Sequence, residues 1–280
     1  MKVGYVAIVG RPNVGKSTIL NACIGESLAP VSQVPNTTRH TLLGIYSDDS
    51  SQIMFIDTPG FQLHDDLMGQ RLRKEAQNSL KLADVILHVR DVSRPLGEED
   101  AAIDKQICHL GVPIIEIYTK MDLRHVMEIP DTAIVVEKGK IPVAQICESI
   151  VQHLEEGPLL FDPDDYTNTP VYDRVGEIIR ERANLLLKDE IPHALYVHVE
   201  DVEVQENQVR ILAYIVVERE SQKRIVIGKA GALIQQIGTE ARHRLLEIYE
   251  RPVHLFLRVR VEPNWTKNPK TLDAIFGSHA

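Results

Sequence analysis

The sequence predicts two mixed domains in series, a parallel α/β sheet that carries a phosphate-binding loop and then a smaller α+β unit. Three observations carry this expectation. An apolar strand-like run leads directly into a glycine-rich turn and a helix; strand and helix patterns then alternate to about residue 155; and a second glycine turn lies in a basic segment near the C-terminus. At 280 residues and 44% apolar content, the chain is long enough for two buried cores.

The first strand-like run covers residues 3–9 and is followed by Gly10-Arg11-Pro12-Asn13-Val14-Gly15-Lys16-Ser17, a complete G-x-x-x-x-G-K-S. Backbone N–H groups of such a turn and the N-terminus of the helix behind it point at nucleotide phosphates. Lys16 then reaches the β- and γ-phosphates, and the Ser17 hydroxyl ligates Mg²⁺. Gly10 and Gly15 let the backbone approach the anion closely. Val14 and Thr18 complete the cradle, and the helix runs over residues 16–24.

Further strand-like runs cover residues 41–46, 53–56, 85–89, 113–118 and 132–136, with helix-like runs at 67–82, 98–109 and 143–154. Candidate functional residues fall just after the strands. Asp57-Thr58-Pro59-Gly60 follows the third strand; its carboxylate faces the Mg²⁺ position, and Gly60 offers an N–H to the γ-phosphate. Thr119-Lys120-Met121-Asp122 follows the fifth strand, and Asp122 there can accept both the N1–H and the N2 amine of guanine. Between the first helix and the second strand, the segment 35–40 carries Thr38, which is placed to contact Mg²⁺ when a γ-phosphate is present. Lys16 and Thr38 are the catalytic candidates; Ser17, Thr38 and Asp57 are the metal candidates. In this order, with roughly 40 residues from loop to Asp57 and roughly 60 onward to Thr119, the motifs resemble the translation-factor-like GTPases, and the fold they imply is that of a Ras-like P-loop NTPase.

Two positions depart from that pattern. The guanine motif usually opens with Asn, and here it opens with Thr119. The last motif, usually Ser-Ala-Lys or Ser-Ala-Glu, reads Val135-Val136-Glu137, so a backbone N–H of Val136 meets the guanine oxygen without serine support. Guanine specificity with weakened affinity is the expectation. Phe61 stands where Ras-like enzymes carry the glutamine that orients water, so slow hydrolysis is expected, near ~10⁻⁴ to 10⁻² s⁻¹. Asn13 occupies the loop position of the asparagine that coordinates potassium in some related GTPases, which makes K⁺ a candidate cofactor beside Mg²⁺.

Gly157-Pro158 and the acidic, proline-bearing stretch 162–170 break both periodicities. They divide the chain into a nucleotide-binding domain at 1–157, a linker at 158–170 and a second domain at 171–280. The second domain reads as a helix at 171–187, a hairpin of strands at 195–204 and 209–218, and a strand at 253–261. Before that strand lies Ile227-Gly228-Lys229-Ala230-Gly231-Ala232-Leu233-Ile234. An I-G-x-x-G-x-x-I turn between helix-compatible flanks is the core of a KH domain, whose G-x-x-G clamps about four backbone nucleotides of a single strand. The order helix, two strands, helix, turn, helix, strand resembles the type II KH fold. Ile225, Ile227, Leu233, Ile234 and Ile237 read as core, although Ile227 also borders the RNA groove. Arg224, Lys229 and Arg242 are candidate phosphate contacts, with Gly228, Ala230 and Gly231 forming the clamp. Trp265 reads as a packing anchor rather than a base-stacking ring.

The charge distribution agrees. The chain carries −9, residues 1–160 a net −6 and residues 219–270 a net +6, which points to one local polyanion site on an otherwise acidic protein. Cys23, Cys108 and Cys147 lie far apart without metal spacing and read as buried thiols of a reducing cytoplasm. No apolar run approaches the ~18 residues of a membrane span.

Together the two halves resemble the Era family of bacterial GTPases with a C-terminal KH domain. The matching residues are 10–18, Thr37-Thr38-Arg39-His40, Asp57 to Gly60, Val226-Ile227-Gly228, Gly231-Ala232, Ile237-Gly238, Glu240-Ala241-Arg242, Pro252-Val253-His254-Leu255 and Trp265. The resemblance implies a monomeric GTP/GDP switch whose KH domain holds the 3′ end of 16S ribosomal RNA during assembly of the 30S subunit. It also implies a cytoplasmic protein with peripheral contact to the inner membrane. Two other readings remain open from the residues: an RNA-binding assembly scaffold with a weakened nucleotide site, and a regulatory GTPase whose KH-like domain binds protein.

Overall fold

The computed structural model describes residues 1–26, 28–29, 42–57, 67–188, 191–192 and 194–276. The expected Thr37-Thr38-Arg39-His40 segment, Thr58 to Gly60 and Phe61 lie outside the described residues. The chain forms two compact units: the described residues up to Thr169 other than 67–71 make the first, and residues 67–71 group with the residues from Pro170 onward in the second.

The first unit contains β1 (Lys2–Val9), α1 (Lys16–Ile24), β2 (Leu42–Ser47), β3 (Ser51–Asp57), α2 (Leu67–Leu82) from residue 72 on, β4 (Val85–Asp91) and α3 (Glu98–Ile107). It continues with β5 (Ile114–Thr119), β6 (Ile134–Val136), α4 (Val143–Val151) and the short β7 (Glu155–Glu156). The main strand order is β2-β3-β1-β4-β5-β6; β2 is antiparallel to β3, and β3, β1, β4, β5 and β6 run parallel. Parallel strands buried on both faces need near-continuous apolar runs, which is what β1, β3 and β4 contain. Along β1, Val6 and Ile8 pack with Ile19, Leu20 and Cys23 of α1 and Ile146, Cys147 and Ile150 of α4. The alternate residues Ala7 and Val9 pack with Ala76 and Leu80 of α2 and Ile103 and Ile107 of α3. The chain winds outward from β1 in both directions, so the carboxyl end of β1 is the switch point where such sheets open a ligand crevice.

The acidic stretch before Thr169 is fastened to this unit. Buried Gln52 accepts from the Leu160 and Phe161 N–H groups at 2.8 and 3.1 Å and donates to the Phe161 carbonyl at 3.0 Å. Ile45 N donates to the Tyr166 carbonyl at 2.9 Å, and Thr167 forms an antiparallel bridge with Gly44 of the edge strand β2.

The second unit contains α5 (Val171–Leu186), β8 (Leu195–Val204), β9 (Val209–Val217), α6 (Glu220–Ile227), α7 (Ala232–Tyr249), β10 (Val253–Val261) and α8 (Pro269–Phe276). Its sheet order is β10-β9-β8, with an antiparallel β8–β9 hairpin and β10 parallel to β9 in the register Val253↔Val209 to Val261↔Val217. The parallel pairing requires a crossover, which α6, the glycine turn and α7 supply. Val209, Ile211, Ala213, Ile215 and Val217 form one side of β9 and pack into the core with Val175, Ile179 and Ala183 of α5 and Ile237, Ala241 and Leu245 of α7. Trp265 is fully buried; its Nε1 donates to the Ala194 carbonyl at 3.1 Å, and its ring meets Tyr196 edge-on at 4.7 Å.

Two expectations are corrected. Cys108 is exposed, because it caps the C-terminal end of α3, whereas Cys23 and Cys147 are buried together between α1 and α4. Ile225 is 51% exposed, because α6 is two turns long and buries only Val226 in full. Among the described residues no helix is long and apolar enough to cross a membrane.

His88 of β4 is 1% exposed, with Nδ1 3.6 Å from Asp104 Oδ1. Burial, reinforced by the nearby Arg90 charge, pushes its pKa down to about 4. In the unfolded chain an imidazole takes its proton near ~6.5, so between these values the unfolded state binds the extra proton. Stability is therefore expected to fall as pH drops from ~6.5 to 4, by up to about 3 kcal/mol from this residue. Urea unfolding at pH 7 and pH 4.5 checks it: His88→Gln should lose less stability on acidification than the parent chain.

Candidate functional site

The phosphate loop leaves β1 through three residues at positive φ: Gly10 at 155°, Asn13 at 63° and Gly15 at 108°. A β-carbon on Gly10 would lie 2.4 Å from the Val89 carbonyl oxygen, so that position takes glycine for steric reasons as well as for its dihedral. Gly15 caps α1 without a side-chain acceptor, and the N–H groups of the first turn face the loop. Lys16 is buried, and its Nζ donates to the Gly10 and Arg11 carbonyls at 2.9 Å each. Burial pulls the Lys16 pKa below its ordinary value, against the pull of Asp57 and Glu99. An ammonium held dry inside a ring of amides favours a phosphate partner.

The Ser17 hydroxyl donates to Asp57 Oδ2 at 2.9 Å, joining the start of α1 to the end of β3. A hydroxyl and a fully buried carboxylate at one spot beside a phosphate cradle are hard oxygen donors, the set that suits Mg²⁺ held jointly with a nucleotide. Val14 is buried and faces inward, while Thr18 is exposed on α1.

The guanine segment ends β5. Thr119 is 4% exposed, and its Oγ1 lies 2.7 Å from the Val14 carbonyl and 3.2 Å from the Arg90 carbonyl. The hydroxyl thus braces the base segment against the phosphate loop, a tie across 105 residues. Lys120 adopts φ 62°, and Asp122 is exposed beyond it. Val136 pairs with Thr119 across β5 and β6, and its carbonyl accepts from Met121 N at 3.4 Å. Gly10, Ser17, Asp57, Thr119, Lys120 and Val136 all stand at the carboxyl ends of the strands, around one rim.

Sequence reasoning missed the outer wall of the loop. Arg11 donates Nε to Glu99 at 2.8 Å and a terminal nitrogen to Asp100 at 3.1 Å, so the start of α3 grips the loop from outside. Three acidic residues in the first turn of α3 were the available signal, since that placement also suits the helix dipole.

In the second unit, Gly228, Ala230 and Gly231 have φ of 72°, 52° and 81°, which makes the tight turn between α6 and α7. A β-carbon on Gly228 would meet Leu233 Cβ at 2.7 Å and its backbone nitrogen at 3.0 Å; at Gly231 the space is open, and the dihedral alone favours glycine. Lys229 and Arg224 are exposed on either side of Gly228, and Ile227 is half-buried. Arg242 is exposed on α7, eleven residues beyond Gly231 and so roughly 16 Å along the helix. The structure therefore gathers Arg224 to Gly231 at the turn and leaves Arg242 apart from it.

Comparison with known proteins places the chain in a family. Residues 5–120 match the model of the 50S ribosome-binding GTPases, and residues 190–266 match that of the KH domain. The chain is 36% identical over 285 residues to GTPase Era of Borrelia turicatae, covering 97% of this chain and 98% of that protein. It is 37% identical over 293 residues to GTPase Era of Leuconostoc citreum, covering 98% and 96%. Among solved structures, Era in complex with MgGDPNP and nucleotides 1506–1542 of 16S ribosomal RNA matches with a TM-score of 0.90 at 34% identity over 99% of both chains. A point variant of Era from Aquifex aeolicus bound to GDP·AlF4⁻ matches equally, with a TM-score of 0.90.

Thr119→Val would leave the buried Val14 carbonyl without its donor, at a cost of about 1–3 kcal/mol. GDP affinity should fall about tenfold or more, whereas Thr119→Ser should stay close to the parent; fluorescent-GDP dissociation rates measure both.

Proposed function

The chain belongs to the Era family of GTPases, and on that premise we propose that it is a GTP-driven switch that holds the 3′ end of 16S ribosomal RNA during assembly of the 30S subunit. The observation that carries this reading is the presence on one chain of two preformed polyanion cradles. One is the Lys16–Ser17–Asp57 cluster behind the phosphate loop, and the other is the Gly228–Gly231 turn flanked by Lys229 and Arg224.

In the nucleotide site, Lys16 takes the β- and γ-phosphates, and Ser17, Asp57 and Thr38 hold Mg²⁺. Held by those residues, Mg²⁺ would supply positive charge to offset the charge on the phosphate oxygens. Val14, Gly15, Thr18 and Gly60 line the phosphates with backbone and hydroxyl donors. Asp122 selects guanine through its two donors, with the Val136 N–H at the guanine oxygen. Thr119 and Lys120 hold that segment in place. Phe61 supplies no group that can orient water, so intrinsic turnover is slow. That MgGDPNP occupies the related Era structure supports the metal assignment.

In the RNA site, the two glycines let a sugar–phosphate chain lie on the turn at Gly228-Lys229-Ala230-Gly231. Arg224 and Lys229 add salt-dependent phosphate contacts, and Ile227 offers an apolar wall for bases. Arg242 acts further along α7, beyond the first four nucleotides. The RNA in the related complex is the 1506–1542 segment of 16S ribosomal RNA, and the basic balance of residues 219–270 fits the same class of ligand here. The switch works as a monomer in the cytoplasm, with peripheral association at the inner membrane as an additional site of residence.

Coupling between the two cradles is tested by the affinity for a single-stranded oligonucleotide matching the 16S 3′ end. It is measured at one salt concentration with a non-hydrolysable GTP analogue, with GDP and with no nucleotide. Binding about tenfold tighter in the GTP-analogue state is expected from a switch; equal binding in all three states would leave an RNA-binding scaffold. Asn13 sits at positive φ on the loop, and its side-chain oxygen is the ligand this reading assigns to a K⁺ shared with the phosphates. GTP turnover should accordingly rise when KCl replaces NaCl at equal ionic strength, and an unchanged rate removes K⁺ as a cofactor.

A further inference from the structure

Asp91 closes β4 at the rim of the nucleotide site, belongs to none of the nucleotide motifs and is 6% exposed. Its Oδ2 accepts from Lys120 Nζ at 2.6 Å and from Arg94 Nε at 2.9 Å. Its Oδ1 accepts from Ser93 N at 2.9 Å and from Ser93 Oγ at 2.6 Å. Burial alone would raise the Asp91 pKa, but the bonds from Lys120, Ser93 and Arg94 outweigh it and hold the carboxyl at about 2. The group is therefore a permanent anion at working pH, and both of its oxygens are engaged.

What the anion holds is informative. Lys120 is the second residue of the guanine segment and adopts φ 62°, a left-handed conformation that L-residues rarely take. Its stem has several rotatable bonds, and leaving them free would place the ordering entropy on the nucleotide at the moment of binding. The Arg94 side chain is 41% exposed and reaches the Pro12 carbonyl at 3.3 Å, so it is the looser of the two cationic ties. The same β4 end also carries a backbone link, since Val92 N donates to the Thr119 carbonyl at 3.2 Å.

We propose that Asp91 is a positioning residue for guanine nucleotides, its carboxylate fixing the side chain of Lys120 so that the guanine segment is ordered before the base arrives. Asp91 touches no part of the nucleotide itself; it acts through Lys120. An ion pair that only supported the sheet would stabilise the fold without any dependence of nucleotide affinity on the identity of residue 120.

A double-mutant cycle separates these two roles. Asp91→Asn keeps the shape and can still accept from Ser93 but removes the charge. Affinity for GDP is measured for the parent, Asp91→Asn, Lys120→Met and the double variant, alongside thermal unfolding of each nucleotide-free protein. With Lys120 present, Asp91→Asn should weaken GDP binding about tenfold; with Met at 120 the same change should cost less than about threefold. Equal losses in both backgrounds, or no loss with Lys120 present, would overturn the proposal even if the unfolding temperature falls. If Asp91→Asn does not fold, Asp91→Ser retains an acceptor near Ser93 and carries the same cycle with the same two criteria.

Discussion

A β-carbon on Gly10 would stand 2.4 Å from the Val89 carbonyl oxygen, so the chain leaves β1 in contact with the backbone of β4. The rest of the nucleotide unit follows from that contact. Because the loop turns at positive φ directly above the sheet, Lys16 is drawn inward to the Gly10 and Arg11 carbonyls, and Ser17 starts α1 within hydrogen-bond distance of Asp57. The same tight exit brings the Val14 carbonyl within reach of Thr119. The loop is thus gripped from three strands and from the start of α3, which makes it a preorganised cradle whose ordering entropy is met by folding rather than by the ligand.

The parts of this arrangement that were legible in the sequence are those encoded by neighbouring residues. Gly10 to Ser17 and Gly228 to Gly231 specify their turns locally, because dihedral demands at glycine appear in a stretch of four to eight letters. The parallel sheet was legible too, since doubly buried strands need unbroken apolar runs. The unread parts are ties between distant residues. Thr119 to Val14 spans 105 positions, Arg11 to Asp100 spans 89 and Lys120 to Asp91 spans 29, and no local pattern reports such pairs. Ile225 and Cys108 were misplaced for a related reason: in a two-turn helix and at a helix end, apolar type does not fix which side faces the core.

The second unit solves a different problem with the same means. Pairing β10 parallel to β9 forces the chain to cross over, and the crossover consists of two helices with the glycine turn at their junction. The turn is exposed because it is a corner, and it is rigid because both flanking helices are anchored, α6 by Val226 and α7 by Ile237, Ala241 and Leu245. Trp265 and its bond to the Ala194 carbonyl then tie the chain beyond β10 to the approach of β8, which links the two outer strands at one end of the small sheet. An exposed corner on a well-anchored base suits the binding of an extended polyanion, since the backbone of the turn is already ordered.

The bridge between Thr167 and Gly44 gives the edge strand β2 a partner along part of its length. An uncovered strand edge offers a row of unpaired amides and carbonyls to any other chain that can lie alongside it. The residues joining the two units therefore also shield the first from association with copies of itself. A protein cut at the composition break near residue 157 would expose that edge and the Leu43 and Ile45 backbone groups that Thr167, Thr169 and Tyr166 now satisfy. The covering strip is as much a solubility element of the nucleotide unit as it is a connector.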